Sequence, residues 1–187
     1  MGRTVRIIGG QYKKSTLPVL EIEGFRPTPD RVRETLFNWI DHLWSGVYQD
    51  KSVLDLFAGT GALGFEAASR GAQYVLLADQ NQKVIEQLRK SRDKLNASAV
   101  RINSLGVPKI LERMDASRFN LVFLDPPFHS DLLETTKPYL EHILLPQGLV
   151  YIESDKPQIL NDSFELLRES KAGQVYFYLF KFNRETL

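Results

Sequence analysis

The segment NLVFLDPPFHSDLL, residues 120–133, runs an apolar stretch into Asp125-Pro126-Pro127-Phe128. Proline has no N–H to donate and holds the residue before it extended, so a strand must stop here in a rigid corner. A carboxylate on that corner accepts hydrogen bonds from an exocyclic amine, and the Pro126 carbonyl offers a second acceptor. Phe128 offers a flat face on which a base can stack. Amino groups of bases are weak nucleophiles because the ring draws in the lone pair. Two fixed acceptors pull the nitrogen toward tetrahedral geometry and aim its lone pair, so positioning and electrostatics would carry the reaction. The plainer reading, a strand stop with Phe128 in the core, suits a D-P-P string standing alone.

A second motif argues against that plainer reading. In VLDLFAGTGALGFEA, residues 53–67, Gly59, Gly61 and Gly64 form G-x-G-x-x-G between a strand pattern and a helix pattern. Glycine allows the sharp turn and the close approach of a ligand, and the helix N-terminus presents free N–H groups. Asp79 follows Gly59 by 20 residues at the end of the next strand pattern, where an acid takes ribose hydroxyls. A dinucleotide would set pyrophosphate on the glycine loop. Asp55 stands beside that loop and repels phosphate, whereas it suits a cation. S-adenosyl-L-methionine, with a sulfonium, an ammonium and no phosphate, fits these residues better than NAD.

The elements that must position these groups are legible as alternating patterns. Strands are expected over 52–57, 74–79, 99–103, 120–125 and 148–154, each a nearly continuous apolar run of the kind buried on both faces of a parallel sheet. Helical patterns separate them; Val84, Ile85, Leu88 and Leu95 share one face of the longest. This repetition predicts a doubly wound α/β sheet with right-handed crossovers. Residues 163–170 and 174–182 read as two strands joined by a short Gly-containing turn, hence antiparallel.

At the start, residues 5–22 read as a small β-hairpin bending at Gly9-Gly10. A helix follows, with Thr28 as its N-cap, Pro29 at the first position and Asp30 in the first turn. Its apolar face is Val32, Leu36, Phe37, Trp39, Ile40, Leu43 and Trp44, which assigns both tryptophans to packing and leaves Arg31 and Arg33 for solvent or a ligand. We divide the chain into an extension, residues 1–50, and the main body, residues 51–187, within one domain.

Composition narrows the function classes. The chain of 187 residues has 43% hydrophobic and 25% charged residues, ordinary for a soluble protein. It has no cysteine, and its three histidines, His42, His129 and His142, show no ligand spacing, so no metal site is expected. No stretch reaches the ~20 apolar residues of a membrane span, and no secretory leader is evident, so a cytoplasmic location is expected. Net charge is +1, yet residues 1–33 hold seven Lys/Arg against three acids. A basic arm on a mildly acidic body favours a polyanion partner.

Taken together, DLFAGTGALG and LDPPF resemble the class I S-adenosylmethionine-dependent amino-methyltransferases. RIIGGQYKKSTLPV, RPTPDRVRETLFNWI and VYIESD make the chain similar to the RsmD-type family, over about residues 3–182. That family methylates N2 of one guanine in bacterial 16S ribosomal RNA. The resemblance implies a Rossmann-like fold, a seven-stranded mostly parallel sheet with a C-terminal antiparallel hairpin, plus the small N-terminal hairpin and helix. It implies that Asp55, Phe57, Gly59 and Gly61 hold the methionine end of S-adenosyl-L-methionine and Asp79 the ribose, while Asp125, Pro126 and Phe128 hold the target base. Arg6, Lys13 and Lys14 of the basic hairpin, together with Arg26, would face RNA; Arg31 would contact phosphate, close over the cofactor, or simply be solvated. The partner would be 16S rRNA, the 30S subunit or an assembly intermediate of it.

One departure from the pattern concerns the adenine. Relatives place a short polar or acidic residue and then a small one after the third strand, where this chain has Leu105-Gly106. Ser104 or Asn103 substitutes there, or backbone atoms alone read the adenine. His129 is read as incidental to the site. Two other readings remain open at this point: an adenine-N6 methyltransferase on DNA or RNA, for which the D-P-P-F corner is also suited, and a non-catalytic binding module, against which the intact acids and glycines speak.

Overall fold

The computed structural model describes residues 2–22, 25–114 and 118–183. The strands β1 (Thr4–Arg6) and β2 (Thr16–Pro18) pair antiparallel as a small separate sheet. After helix α1 (Asp30–Trp44) come β3 (Ser52–Asp55), α2 (Ala62–Ser69), β4 (Tyr74–Ala78), α3 (Gln82–Leu95), β5 (Val100–Asn103), α4 (Lys109–Glu112) and β6 (Phe119–Leu124). The helical pattern expected next is divided into α5 (Leu132–Thr136), a 3₁₀ turn (Lys137–Tyr139) and α6 (Leu140–Ile143), because Pro138 has no N–H for the ladder. Then follow β7 (Leu144–Ser154), β8 (Phe164–Ala172) and β9 (Val175–Phe182).

The main sheet has seven strands in the order β5-β4-β3-β6-β7-β9-β8. Its first five are parallel and β9 runs antiparallel to both β7 and β8, as the sequence led us to expect. The apolar runs are continuous because both sheet faces are covered. Val53, Leu121, Phe123 and Tyr151 point to the layer holding α1, α2 and α3. Leu54, Val122, Leu124, Val150 and Ile152 point to the layer holding α4, α5 and α6. Side chains alternate across a strand, so each strand must be apolar at every position to serve two cores. Among the described residues no helix is long and apolar enough to cross a membrane.

Two expectations about α1 need correction. The helix begins at Asp30 with Pro29 before it, and the Thr28 hydroxyl makes no cap; it turns instead toward two carboxylates. Arg33 is not left for solvent or a ligand. It is fully buried, with Asp30 Oδ1 at 2.5 Å and Glu66 Oε2 at 3.9 Å. Phe37 of α1 packs on Phe123 of β6 with ring centres 5.9 Å apart, which lays the helix across the sheet.

The glycine pair of the N-terminal hairpin does more than bend. Ile8 N–H and Gly9 N–H each donate to the Glu66 carboxylate at 2.8 Å, and Ser69 Oγ donates to the Gly9 carbonyl at 2.5 Å. Gly10 sits at φ +73°, and a Cβ there would lie 1.9 Å from the Ser69 carbonyl oxygen. The motif therefore clips the hairpin to the C-terminal turn of α2. Gly10→Ala is expected to lose at least about 1–2 kcal/mol from the left-handed conformation alone. Urea unfolding checks this; a variant matching the wild type within error would show that the clip yields freely.

Candidate active site

Four acids mark the C-terminal ends of four neighbouring parallel strands. Asp55 ends β3, Asp79 directly follows β4, Asp125 directly follows β6, and Glu153 is the next-to-last residue of β7. Because β4 lies on one side of β3 and β6 on the other, this is where successive connections run to opposite sides, the place ligands occupy in open α/β sheets.

The glycine loop hangs between β3 and α2. Ala58 N–H donates to the Ala78 carbonyl at 2.9 Å, and Gly59 N–H to Asp79 Oδ2 at 3.2 Å, so the loop is tied to the end of β4. Gly59 and Gly61 have φ of +53° and +79°, which L side chains rarely adopt. Gly64 serves packing: a Cβ there would lie 2.1 Å from Leu77, and its N–H donates to Asp55 Oδ2 at 3.0 Å. The Phe25 ring lies against Gly59, within 2.5 Å of where its Cβ would be. Phe57 is half-buried against the second core.

Asp79 keeps Oδ1 on Asn81 N–H at 2.8 Å, which fixes its carboxylate at the strand end. Beyond β5, Asn103 Oδ1 accepts Leu105 N–H at 2.8 Å, while Ser104 is exposed. Gly106 gives room to Gln80, whose Oε1 would be 2.6 Å from an added Cβ. Asn103 Oδ1 thus helps to shape the turn, while its NH2 group, Ser104 and the Leu105-Gly106 backbone remain to meet a ligand there.

At the corner, Pro126 is buried, Pro127 exposed and Phe128 half-buried. Asp125 Oδ2 lies 3.3 Å from Thr28 Oγ1, which is also 3.0 Å from Glu153 Oε2. Tyr151 donates its hydroxyl to the same Glu153 oxygen at 3.1 Å. Thr28, Glu153 and Tyr151 were not among the expected site residues. Glu153 had a readable signal, an acid near the end of an apolar strand like the other three. Thr28 had none, since Thr-Pro before a helix reads as a cap. His129 is exposed at φ +61°, with Nδ1 3.4 Å from Asp155 Oδ2, and no contact places it with Asp125. Arg6, Lys13, Lys14, Arg26 and Arg31 are all exposed, with Arg6 3.8 Å from Asp30.

The electrostatics follow from crowding like charges in a dry place. Burial first, then the negative charges of Glu153 and Asp55, hold the Asp125 carboxyl well above the usual carboxylate range, against the Thr28 hydroxyl. Burial likewise raises Glu153, opposed by the hydroxyls of Thr28 and Tyr151. Asp55 is pushed up to about 7, chiefly by burial, with the Gly64 N–H opposing and the Asp79 charge adding. Asp79 is raised by burial against the N–H groups of Asn81, Gly59 and Gln80. Among the described residues no lysine or arginine contributes to the shift of any of these four acids.

A carboxyl raised on folding binds its proton more tightly in the folded chain. Its stabilisation is full below the unfolded value and is lost as pH rises through the folded one. For Asp55 that loss runs from the ordinary carboxylate value of 3.8 up to about 7, above which it is complete. Asp55→Asn, neutral throughout, is expected to flatten the decline in melting temperature between pH 5.5 and 8, measured without ligand. Parallel curves for variant and wild type would rule this out.

The model of the family described as Conserved hypothetical protein 95 matches residues 5–181. A protein of Haemophilus influenzae named ribosomal RNA small subunit methyltransferase D is 41% identical over 184 residues, covering 95% of this chain and 93% of that protein. The Escherichia coli protein of the same name is 41% identical over 182 residues, covering 95% and 89%. The solved structure of a putative methyltransferase from Escherichia coli superposes with a TM-score of 0.85 at 38% identity, over 97% of this chain and 99% of that one.

Proposed function

This chain belongs to the family described as Conserved hypothetical protein 95 and is a small-subunit rRNA methyltransferase; on that premise we propose that it moves a methyl group from S-adenosyl-L-methionine to the exocyclic N2 of one guanine in 16S rRNA. The observation that carries the reading is the Asp125 corner at the switch point of an acid-ended sheet. The residues fit the donor. Four acids with no basic partner among the described residues favour a cation and disfavour pyrophosphate, and the positive-φ glycines leave the loop backbone open to close approach. The donor supplies a methyl carbon on an electrophilic sulfonium, the sulfur keeping the bonding pair.

This chain's residues do the remaining work. Asp55, Phe57, Gly59 and Gly61 hold the methionine end, Asp79 the ribose hydroxyls, and Ser104 with the neighbouring backbone the adenine. Asp125 and the Pro126 carbonyl accept the two N–H bonds of the guanine amine, and Phe128 stacks on the base. A stacked, doubly accepted amine has its lone pair fixed toward the methyl carbon, which is orientation rather than strong base catalysis. Residues 1–50 serve as the RNA-facing extension of the domain in 51–187. There Arg6, Lys13, Lys14, Arg26 and Arg31 neutralise phosphates, so affinity should fall with salt. The substrate is 16S rRNA, the 30S subunit or an assembly intermediate of it in the cytoplasm, and neither a metal nor a membrane takes part.

The test is transfer of labelled methyl to small subunits lacking the mark, followed by digestion to nucleosides. Label in N2-methylguanosine is the expected result. Label in N6-methyladenosine, or no label in any unmodified particle, overturns the reading.

A further inference from the structure

The contacts of Thr28 raise a question of proton count. Its Oγ1 is within hydrogen-bond distance of Asp125 Oδ2, at 3.3 Å, and of Glu153 Oε2, at 3.0 Å. A threonine hydroxyl owns one proton and donates to one acceptor. At the other contact two sets of oxygen lone pairs would face each other, unless that carboxyl is itself protonated and donates to Thr28. Tyr151 cannot supply the missing proton, because its own hydroxyl is committed to Glu153 Oε2 at 3.1 Å. Both contacts are favourable together only when the two acids hold one proton between them. The other groups that bear on the pair are the Asp55 carboxyl at the end of β3 and the neutral Tyr151 of β7, with Asp79 acting on Asp55.

We propose that Asp125, Thr28 and Glu153 form a proton-holding line that keeps one proton while the site lacks a cation, gives it up when a sulfonium is seated, and takes it back from the target amine. The proposal rests on the methyltransferase reading above. As the amine nitrogen gains its methyl carbon, its N–H bond breaks and the proton goes to Asp125. Asp125 passes that proton to Thr28 Oγ1 while Thr28 gives its own to Glu153 Oε2. The hydroxyl ends neutral, Asp125 is again a carboxylate, and Glu153 carries the proton. The positive charge lost with the sulfonium is thereby matched by one proton gained on the acids, so the net charge of the buried site is the same before and after transfer. In a low-dielectric pocket, keeping charge constant avoids the large cost of an uncompensated ion. Glu153 and Thr28 are on this account positioning residues, acting through Asp125.

The test is calorimetry of the full chain at pH 7 with S-adenosylmethionine and, separately, S-adenosylhomocysteine, which lacks the sulfonium charge. Repeating each titration in buffers of different ionisation heat gives the protons released. The wild type is expected to release roughly half a proton or more with the sulfonium ligand and clearly less with the neutral one. Glu153→Gln and Thr28→Val should each lose this difference, and Thr28→Ser, which keeps the hydroxyl, should restore it. A purely structural role for Thr28 would alter affinity without changing the proton count. Binding with equal proton release for the two ligands overturns the line, as does an unchanged difference in both Glu153→Gln and Thr28→Val. Failure of the wild type to bind S-adenosylmethionine at all overturns instead the function on which the line rests.

Discussion

Asp125→Asn is expected to lower single-turnover methyl transfer to unmodified small subunits by about 10²–10³-fold, the usual loss when one charge-stabilising partner of a transition state is removed. Asparagine keeps the shape of the corner and cannot unfold it by creating a void. It changes the chemistry in two ways. The charged acceptor that opposes the growing positive charge on the amine becomes a neutral one, and one oxygen becomes an NH2 that cannot accept from the amine. The ligand-free protein should lose no stability, because burial and the charges of Glu153 and Asp55 already disfavour a carboxylate there and asparagine is neutral. A loss of rate with an undiminished melting temperature is therefore the signature. The variant also separates base handling from donor binding, since Asp79 and the glycine loop are untouched. A rate within about threefold of the wild type would show that Asp125 is not the amine acceptor.

Glu66→Ala is expected to destabilise the chain by about 3–5 kcal/mol, the range for breaking a buried ion pair by deleting one partner. Glu66 is fully buried and serves four groups: Ile8 N–H and Gly9 N–H at 2.8 Å each, Arg70 Nε at 3.0 Å, and Arg33 Nη1 at 3.9 Å. Among the described residues, Arg33 Nε and Nη1 have no hydrogen-bond acceptor, so the charge of Glu66 compensates that end of the guanidinium. Asp30 holds the other end, on Nη2. Deleting Glu66 leaves Arg33 half-paired in the core and frees the two N–H groups that clip the N-terminal hairpin. Arg70 would keep Asp41 at 2.7 Å and its place over the Phe37 ring. Denaturant unfolding followed by circular dichroism measures the loss. A change below about 1 kcal/mol would mean that water enters and replaces the carboxylate. Glu66→Gln should fall between, because its carbonyl oxygen still accepts one backbone N–H.

Much of the fold was legible because parallel strands buried on both faces leave a plain trace. Val53-Leu54, Leu121 to Leu124 and Leu149 to Ile152 are apolar at consecutive positions, which half-exposed strands are not. The terminal hairpin was legible from its short glycine turn, and the helix over 82–95 from Val84, Ile85 and Leu88 on one face. Helix ends were less so. Thr28-Pro29-Asp30 satisfies every local rule for a cap, yet the hydroxyl goes elsewhere, since a buried carboxylate pair offers a stronger partner than the backbone N–H of the first turn. Arg33 reads as a polar face residue by its type; burial beside Asp30 and Glu66 overrides that.

By itself, the sequence determined the parallel sheet, the glycine loop with Asp79, and the Asp125 corner, because each depends on residues within one strand–loop–helix unit whose local geometry leaves few choices. Tertiary structure alone decided that Thr28, Asp125 and Glu153 meet, and that the N-terminal hairpin is held by Glu66. The contacts concerned join positions 97 and 125 residues apart in one case and 57 and 58 apart in the other. Such pairs depend on strand order and on the angle at which α1 crosses the sheet, and no local period in the chain encodes either.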